Sequence, residues 1–172
     1  MPTVLSGFSK VAITPPVSTM MAGYLDREGP AIGKHDDLYA RALFLQVNDD
    51  RILLISLDIL GIDKELRERL AGGIIDAIDI NSDNIVLAAT HNHSGPDVFG
   101  TYSERDESLI DELAKSVAKA VADSCKSAVP IDGFSYAVSS CPEVLMNRRK
   151  PKRGPIDPRI HVLQLFGSER FT

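Results

Sequence analysis

Leu5 to Thr14 alternates apolar and polar positions, which predicts a strand, and Pro15-Pro16 ends it. Leu38 to Val47 and Arg51 to Ile59 read as two further strands. Asn48-Asp49-Asp50 between them has turn chemistry, so a hairpin is expected. Ile85 to Ala89 is a short continuous apolar run, the kind buried on both faces of a sheet. Ile131 to Ser139 alternates again, and Arg159 to Phe166 is a last strand. Two segments change period. Asp63 to Ile78 places Leu66, Leu70, Ile74, Ile75 and Ile78 on one side of a helix. Ser108 to Ala128 carries a stripe of Leu109, Leu113, Val117, Ala120 and Val121, with Asp111, Glu112 and Lys115 outside it. Pro130 stops this second helix.

Three stretches show no period: Val17 to Asp36, His91 to Arg105, and the basic, proline-containing Glu143 to Pro158. The first carries Gly23, Gly29, Pro30 and Gly33, and long loops in compact domains are often functional. The order of elements is β-β-β-α-β-α-β-β. It predicts the α/β class, a mixed β-sheet with helices packed on it. The two strand-helix-strand passages would be right-handed crossovers if their strands are parallel.

The 172 residues suffice for one compact domain, so residues 1–172 are taken as a single α/β unit. Gly167-Ser168 has turn chemistry, and Phe171-Thr172 reads as the start of a returning strand. The unit is therefore expected to be the N-terminal part of a longer hydrolase domain. A net charge of -5 argues against a nucleic-acid partner, which needs a basic surface. No apolar segment is long enough to span a bilayer, and residues 1–16 do not resemble a secretory signal, so a cytoplasmic location is expected. Cys125 and Cys141 form neither a disulfide framework nor a CxxC metal pair.

Chemistry concentrates in "NIVLAATHNHSGPD", Asn84 to Asp97, where two of the four histidines stand one residue apart. In an open α/β sheet, ligands collect beyond the carboxyl ends of the strands, and His91 and His93 follow such an end. In extended backbone both side chains would point to one face. Two converging imidazoles can ligate a metal, or one can ligate while the other handles protons or substrate. A bare HxH is equally well a pair of hydrogen-bonded loop histidines. Gly95 and Pro96 force a turn that lets substrate approach the backbone, and Asp97 can orient an imidazole. Ser94 lies outside any GxSxG elbow and reads as a turn residue.

Thr90-His91-Asn92-His93-Ser94-Gly95-Pro96 closely resembles the THTHSGP motif of the neutral/alkaline non-lysosomal ceramidases, in the family's N-terminal domain. Other pieces fall in that family's order. Val11-Ala12-Ile13-Thr14-Pro15 resembles its "DIT-P" strand, and Met21-Ala22-Gly23-Tyr24 its "M-GY" loop. His35 with Leu38-Tyr39-Ala40-Arg41-Ala42 resembles "H..LYARA", Ile55-Ser56-Leu57-Asp58 "VSxD", and Asn147-Arg148 the "NR" loop. Asn92 stands in place of the family's usual threonine, and Asp97 where it tends to have small residues.

The resemblance implies a zinc-dependent amidase acting on a small-molecule or lipid amide. Zinc in that family is held by two histidines, a glutamate and a tyrosine. The first motif histidine maps onto His91 as a metal ligand. The second maps onto His93, beside the substrate and the catalytic water. The "NR" arginine, a substrate contact, maps onto Arg148. The family's other ligands follow the strand resembling Arg159 to Phe166, so this chain is expected to supply part of the site. Ser94, Gly95 and Asp97 are candidate substrate-loop residues, and Asp58 and His35 candidate partners behind the histidines. His161 reads as a sheet-face histidine. Two other readings stay open: a non-catalytic binding or assembly domain that keeps the HxHSGP loop, and a metal-dependent hydrolase of another bond.

Overall fold

The computed structural model describes residues 3–167. Its chain divides into two compact units, the first ending at Pro130 and the second beginning at Ile131. In order come β1 (Val4–Ala12), β2 (Tyr39–Val47), β3 (Asp50–Leu57), α1 (Lys64–Ala77), β4 (Ile85–Ala89), α2 (Glu107–Lys126), β5 (Val129–Ile131), β6 (Gly133–Ser140) and β7 (Arg159–Phe166). One sheet has the order β4-β3-β2-β1-β5, and β6 pairs with β7 in a separate two-stranded sheet. β1 to β3 form an antiparallel meander, while β3 and β4 are parallel. The sheet is thus mixed and the class α/β. The expected hairpin is β2–β3, and Asn48 takes the left-handed conformation at its turn, with φ 52.

Alternation decides which face is core. Leu53, Ile55 and Leu57 of β3 pair with Phe44, Ala42 and Ala40 of β2, and all six are buried. Leu66, Leu70 and Ile74 of α1 and Ile110, Leu113, Val117 and Val121 of α2 complete the same apolar core. Each fully buried leucine in such a cluster contributes about 1.5–3 kcal/mol. Helix α2 lies so close to β1 that a Cβ on Gly7 would sit 1.8 Å from the Ser124 carbonyl oxygen. The Ser9 hydroxyl donates to the Ala120 carbonyl in the same interface. Asp63 caps α1 by accepting from the Leu66 N–H at 2.7 Å. Asp106 caps α2 by accepting from the Leu109 N–H at 3.1 Å.

Three expectations need correcting. β4 is an edge strand, not one buried on both faces, and Val86 on its outer face is 50% exposed. An apolar run cannot report where its strand stands in the sheet order. The strand expected over Ile131 to Ser139 is two elements, β5 and β6. Pro130 lies within β5, which is tolerated because β5 is an edge. On the helices, Ile110 rather than Leu109 is fully buried, and Ile75 points outward at 42% exposure.

In the second unit, β6 and β7 pair antiparallel from Gly133↔Phe166 to Ser140↔Arg159. His161 lies on this ribbon as expected, with its Nδ1 bonded to the Tyr136 hydroxyl. Among the described residues no helix is long and apolar enough to cross a membrane. The returning strand expected at Phe171-Thr172, and Ser168 of the expected turn, lie outside the described residues.

Candidate active site

The motif loop leaves β4 at the carboxyl end of the parallel β3–β4 pair and stays tied to the chain that follows β3. The Thr90 N–H donates to the Leu57 carbonyl at 2.9 Å, and the Asn92 N–H to the Ile59 carbonyl at 3.1 Å. The Asn92 side chain accepts from the Ser94 N–H at 2.7 Å, an Asx turn that reverses the chain. At Gly95 a Cβ would lie 3.1 Å from the Asp58 carbonyl oxygen, which explains a residue without one.

His91 occupies the left-handed region at φ 61, a conformation rare outside glycine and costing of order 1–3 kcal/mol. The extended backbone expected for the HxH pair is therefore absent. The two rings meet nonetheless, edge to face, with centroids 4.8 Å apart, because the loop turns at His91. His91 Nδ1 lies 2.8 Å from the Leu60 carbonyl oxygen. A carbonyl only accepts, so Nδ1 carries a proton, and in the neutral imidazole the lone pair is then on Nε2. That tautomer, held by a backbone carbonyl, is the arrangement of a metal-binding imidazole.

A second loop docks on the first. The Ala22 N–H donates to the Gly95 carbonyl at 3.0 Å, and the Asp97 N–H to the Met20 carbonyl at 2.8 Å. Met21 and Pro96 form an antiparallel bridge between them. Gly23, at φ 111, brings its backbone against His93, where a Cβ would stand 2.7 Å from the His93 Cα. Tyr24 meets the His93 ring edge-on at 5.2 Å between centroids. Arg27 Nη2 donates to the His93 carbonyl at 3.1 Å. Two pieces of the chain that carry the family resemblance, Met21–Tyr24 and Thr90–Pro96, are thus one structural unit.

Sequence reasoning missed Arg27. Its only one-dimensional signal is a charge inside a glycine- and proline-rich loop. Arg27, Lys34, His35, Asn92 and Ser94 line a cleft of about 630 Å³. Its rim is fixed by Thr14, whose hydroxyl donates to Asp37 at 2.7 Å and accepts from the Leu38 N–H at 2.9 Å. Lys34, and then the Thr14 hydroxyl, hold the Asp37 carboxyl below the usual carboxylate range.

The remaining candidates are placed as follows. Both Asp97 oxygens are taken by backbone, Oδ1 from Phe99 N–H at 3.2 Å and Oδ2 from Tyr102 N–H at 2.9 Å. Asp97 is buried and ties down its own loop rather than orienting an imidazole. Asp58 accepts from Arg41 Nη1 at 2.9 Å and from the Tyr39 N–H at 3.0 Å, so it closes the β2–β3 end and partners no histidine. His35 is an exposed side chain on the cleft, bonded to Asp36 at 2.6 Å. Arg148 belongs to the second unit and is exposed. Asn147 shapes that loop, accepting from the Arg149 and Lys150 N–H groups at 3.1 and 2.9 Å. Among the described residues, no three His, Cys, Asp or Glu side chains converge as a metal-binding group.

A mixed sheet with a histidine pair beyond its parallel strands, His91 tied by Nδ1 to a backbone carbonyl, defines a protein of the α/β class. The chain belongs to the neutral/alkaline non-lysosomal ceramidase family, whose N-terminal domain matches residues 5–130. Its fold is also that of neutral ceramidase from Pseudomonas aeruginosa, with a TM-score of 0.81 at 18% identity. That match covers 98% of this chain and 30% of the other. A ceramidase complexed with C2 gives a TM-score of 0.82 at 20% identity, over 98% of this chain and 29% of that one. The chain thus spans under a third of the length of these solved structures.

Proposed function

We propose that this chain contributes part of the active site of a zinc-dependent amide hydrolase, assembled in the full-length protein. The observation that carries the reading is His91, with Nδ1 fixed on the Leu60 carbonyl and Nε2 left as a lone-pair donor beside His93. That nitrogen suits zinc, and the family resemblance assigns the other ligands to positions outside the described residues. Zinc bound there would supply Lewis acidity to water and to the scissile carbonyl. His93, held by Gly23, Tyr24 and Arg27, is the group to stabilise the developing oxyanion or to pass a proton. Arg148 is proposed to anchor a polar part of the substrate.

The test is metal content and N-acyl amine hydrolysis of the full-length protein, with and without His91→Ala. Stoichiometric zinc in the wild type is expected, with its loss in the variant and a fall in kcat/KM of at least about a hundredfold. Zinc retained unchanged by His91→Ala would refute the assignment. A full-length protein without zinc and without hydrolysis would instead favour the binding-domain reading.

A further inference from the structure

We propose that Arg27 is the centre of a carboxylate-binding subsite, so that the amide this site acts on carries a carboxylate next to the scissile bond. The inference rests on the amide-hydrolase reading above and adds the class of substrate. Arg27 is half-buried, and its guanidinium makes one hydrogen bond among the described residues, from Nη2 to the His93 carbonyl. Its Nε is buried with no hydrogen-bond partner. No carboxylate lies within 4.0 Å of the guanidinium among the described residues. A charge withdrawn from water and left uncompensated is costly, and natural structures supply it with a partner or a ligand.

The other basic side chains nearby are already engaged. Lys34 is paired with Asp37 at 2.9 Å, and His35 with Asp36 at 2.6 Å. Arg41 is committed to Asp58 at 2.9 Å. Among the described residues that line the cleft, Arg27 is the cation without a carboxylate partner, and it stands beside Asn92 and Ser94, the two neighbours of His93. The guanidinium also faces the Tyr24 ring at 5.6 Å, but anchoring the His93 carbonyl uses one of its five donors and leaves the others without a protein acceptor among the described residues. The volume, about 630 Å³, is that of a small-molecule site. Glu28 lines the same cleft, so a single negative charge is favoured over a doubly charged phosphate. A planar guanidinium and a planar carboxylate are matched in shape and charge.

The experiment is a titration of the full-length protein with N-acetylglycine and with its neutral N-methylamide, followed by NMR or calorimetry. The wild type is expected to bind the acid at least about tenfold more tightly than the neutral compound. Arg27→Gln should erase the preference for the acid over the neutral compound, and Arg27→Lys should retain part of it. A melting curve for each variant verifies that the fold is kept. Equal binding of the two probes by the wild type would overturn the subsite, as would a preference that survives Arg27→Gln. Inorganic phosphate binding as tightly as the acid would overturn the choice of a monoanion. Hydrolysis separates the two proposals. Preferred binding with no cleavage of any amide refutes the hydrolase and leaves the subsite standing. Cleavage of neutral amides with no preference for the acid does the reverse.

Discussion

At the scale of single residues, the site depends on backbone conformations that most side chains avoid. Gly23 sits at φ 111 with its backbone on His93, and His91 itself sits at φ 61. Gly23→Ala should therefore cost about 1–3 kcal/mol from conformation alone, with more from displacing His93. Gly33→Ala is the matched control, since nothing lies within 4 Å of a Cβ there and its φ is ordinary. It should change stability by no more than about 0.5 kcal/mol. Urea unfolding of both variants, with the His93 ring shift followed by NMR, checks the pair. Similar stabilities for the two would show that Gly23 is not held as described. The histidine pair itself was legible in one dimension, because histidine is scarce and the string around it is distinctive. The partners of Asp58 and Asp97 were not. Arg41 reaches Asp58 across a strand pair, and Asp97 is claimed by backbone N–H groups of its own loop. Neither relation leaves a periodic trace.

At the scale of elements, legibility follows the strength of the period. α2 combines a long apolar stripe, an aspartate cap and a proline three residues beyond its C-terminal cap, Ser127, so its existence was plain from the chain. β4 misleads because five apolar residues read alike at a centre or an edge. The α2 cap also has a pH consequence. The Ser108 hydroxyl first, then the Leu109 N–H, lower the Asp106 pKa below its usual value. A carboxylate depressed on folding stabilises the fold fully above its unfolded pKa, near 4, and that contribution disappears as pH falls through the lower folded value. Asn at this position also caps a helix but does not titrate. The melting temperature of the wild type relative to Asp106→Asn should thus be constant between pH 7 and about 5, and fall below about pH 4. A difference that stays constant down to pH 2 would remove Asp106 as the titrating cap.

At the scale of the whole molecule, burial is unevenly divided. Every buried side chain among the described residues lies between Ser6 and Ser124, within the first unit. The β6–β7 ribbon of the second unit instead exposes Phe134 at 65%, Tyr136 at 60% and Val138 at 50%. Two-stranded ribbons without a buried face are marginal in water, whereas β2 and β3 stand between other strands over a continuous core. Local opening of β6–β7 should therefore cost much less than opening of the meander. Hydrogen exchange on this chain measures that directly. Amides of Tyr136, Val138 and Val162 should exchange at least about a hundredfold faster than those of Ala42, Phe44 and Ile55, since each factor of ten reflects about 1.4 kcal/mol. Equal protection of the two sets would mean that the ribbon and the meander open as one cooperative body.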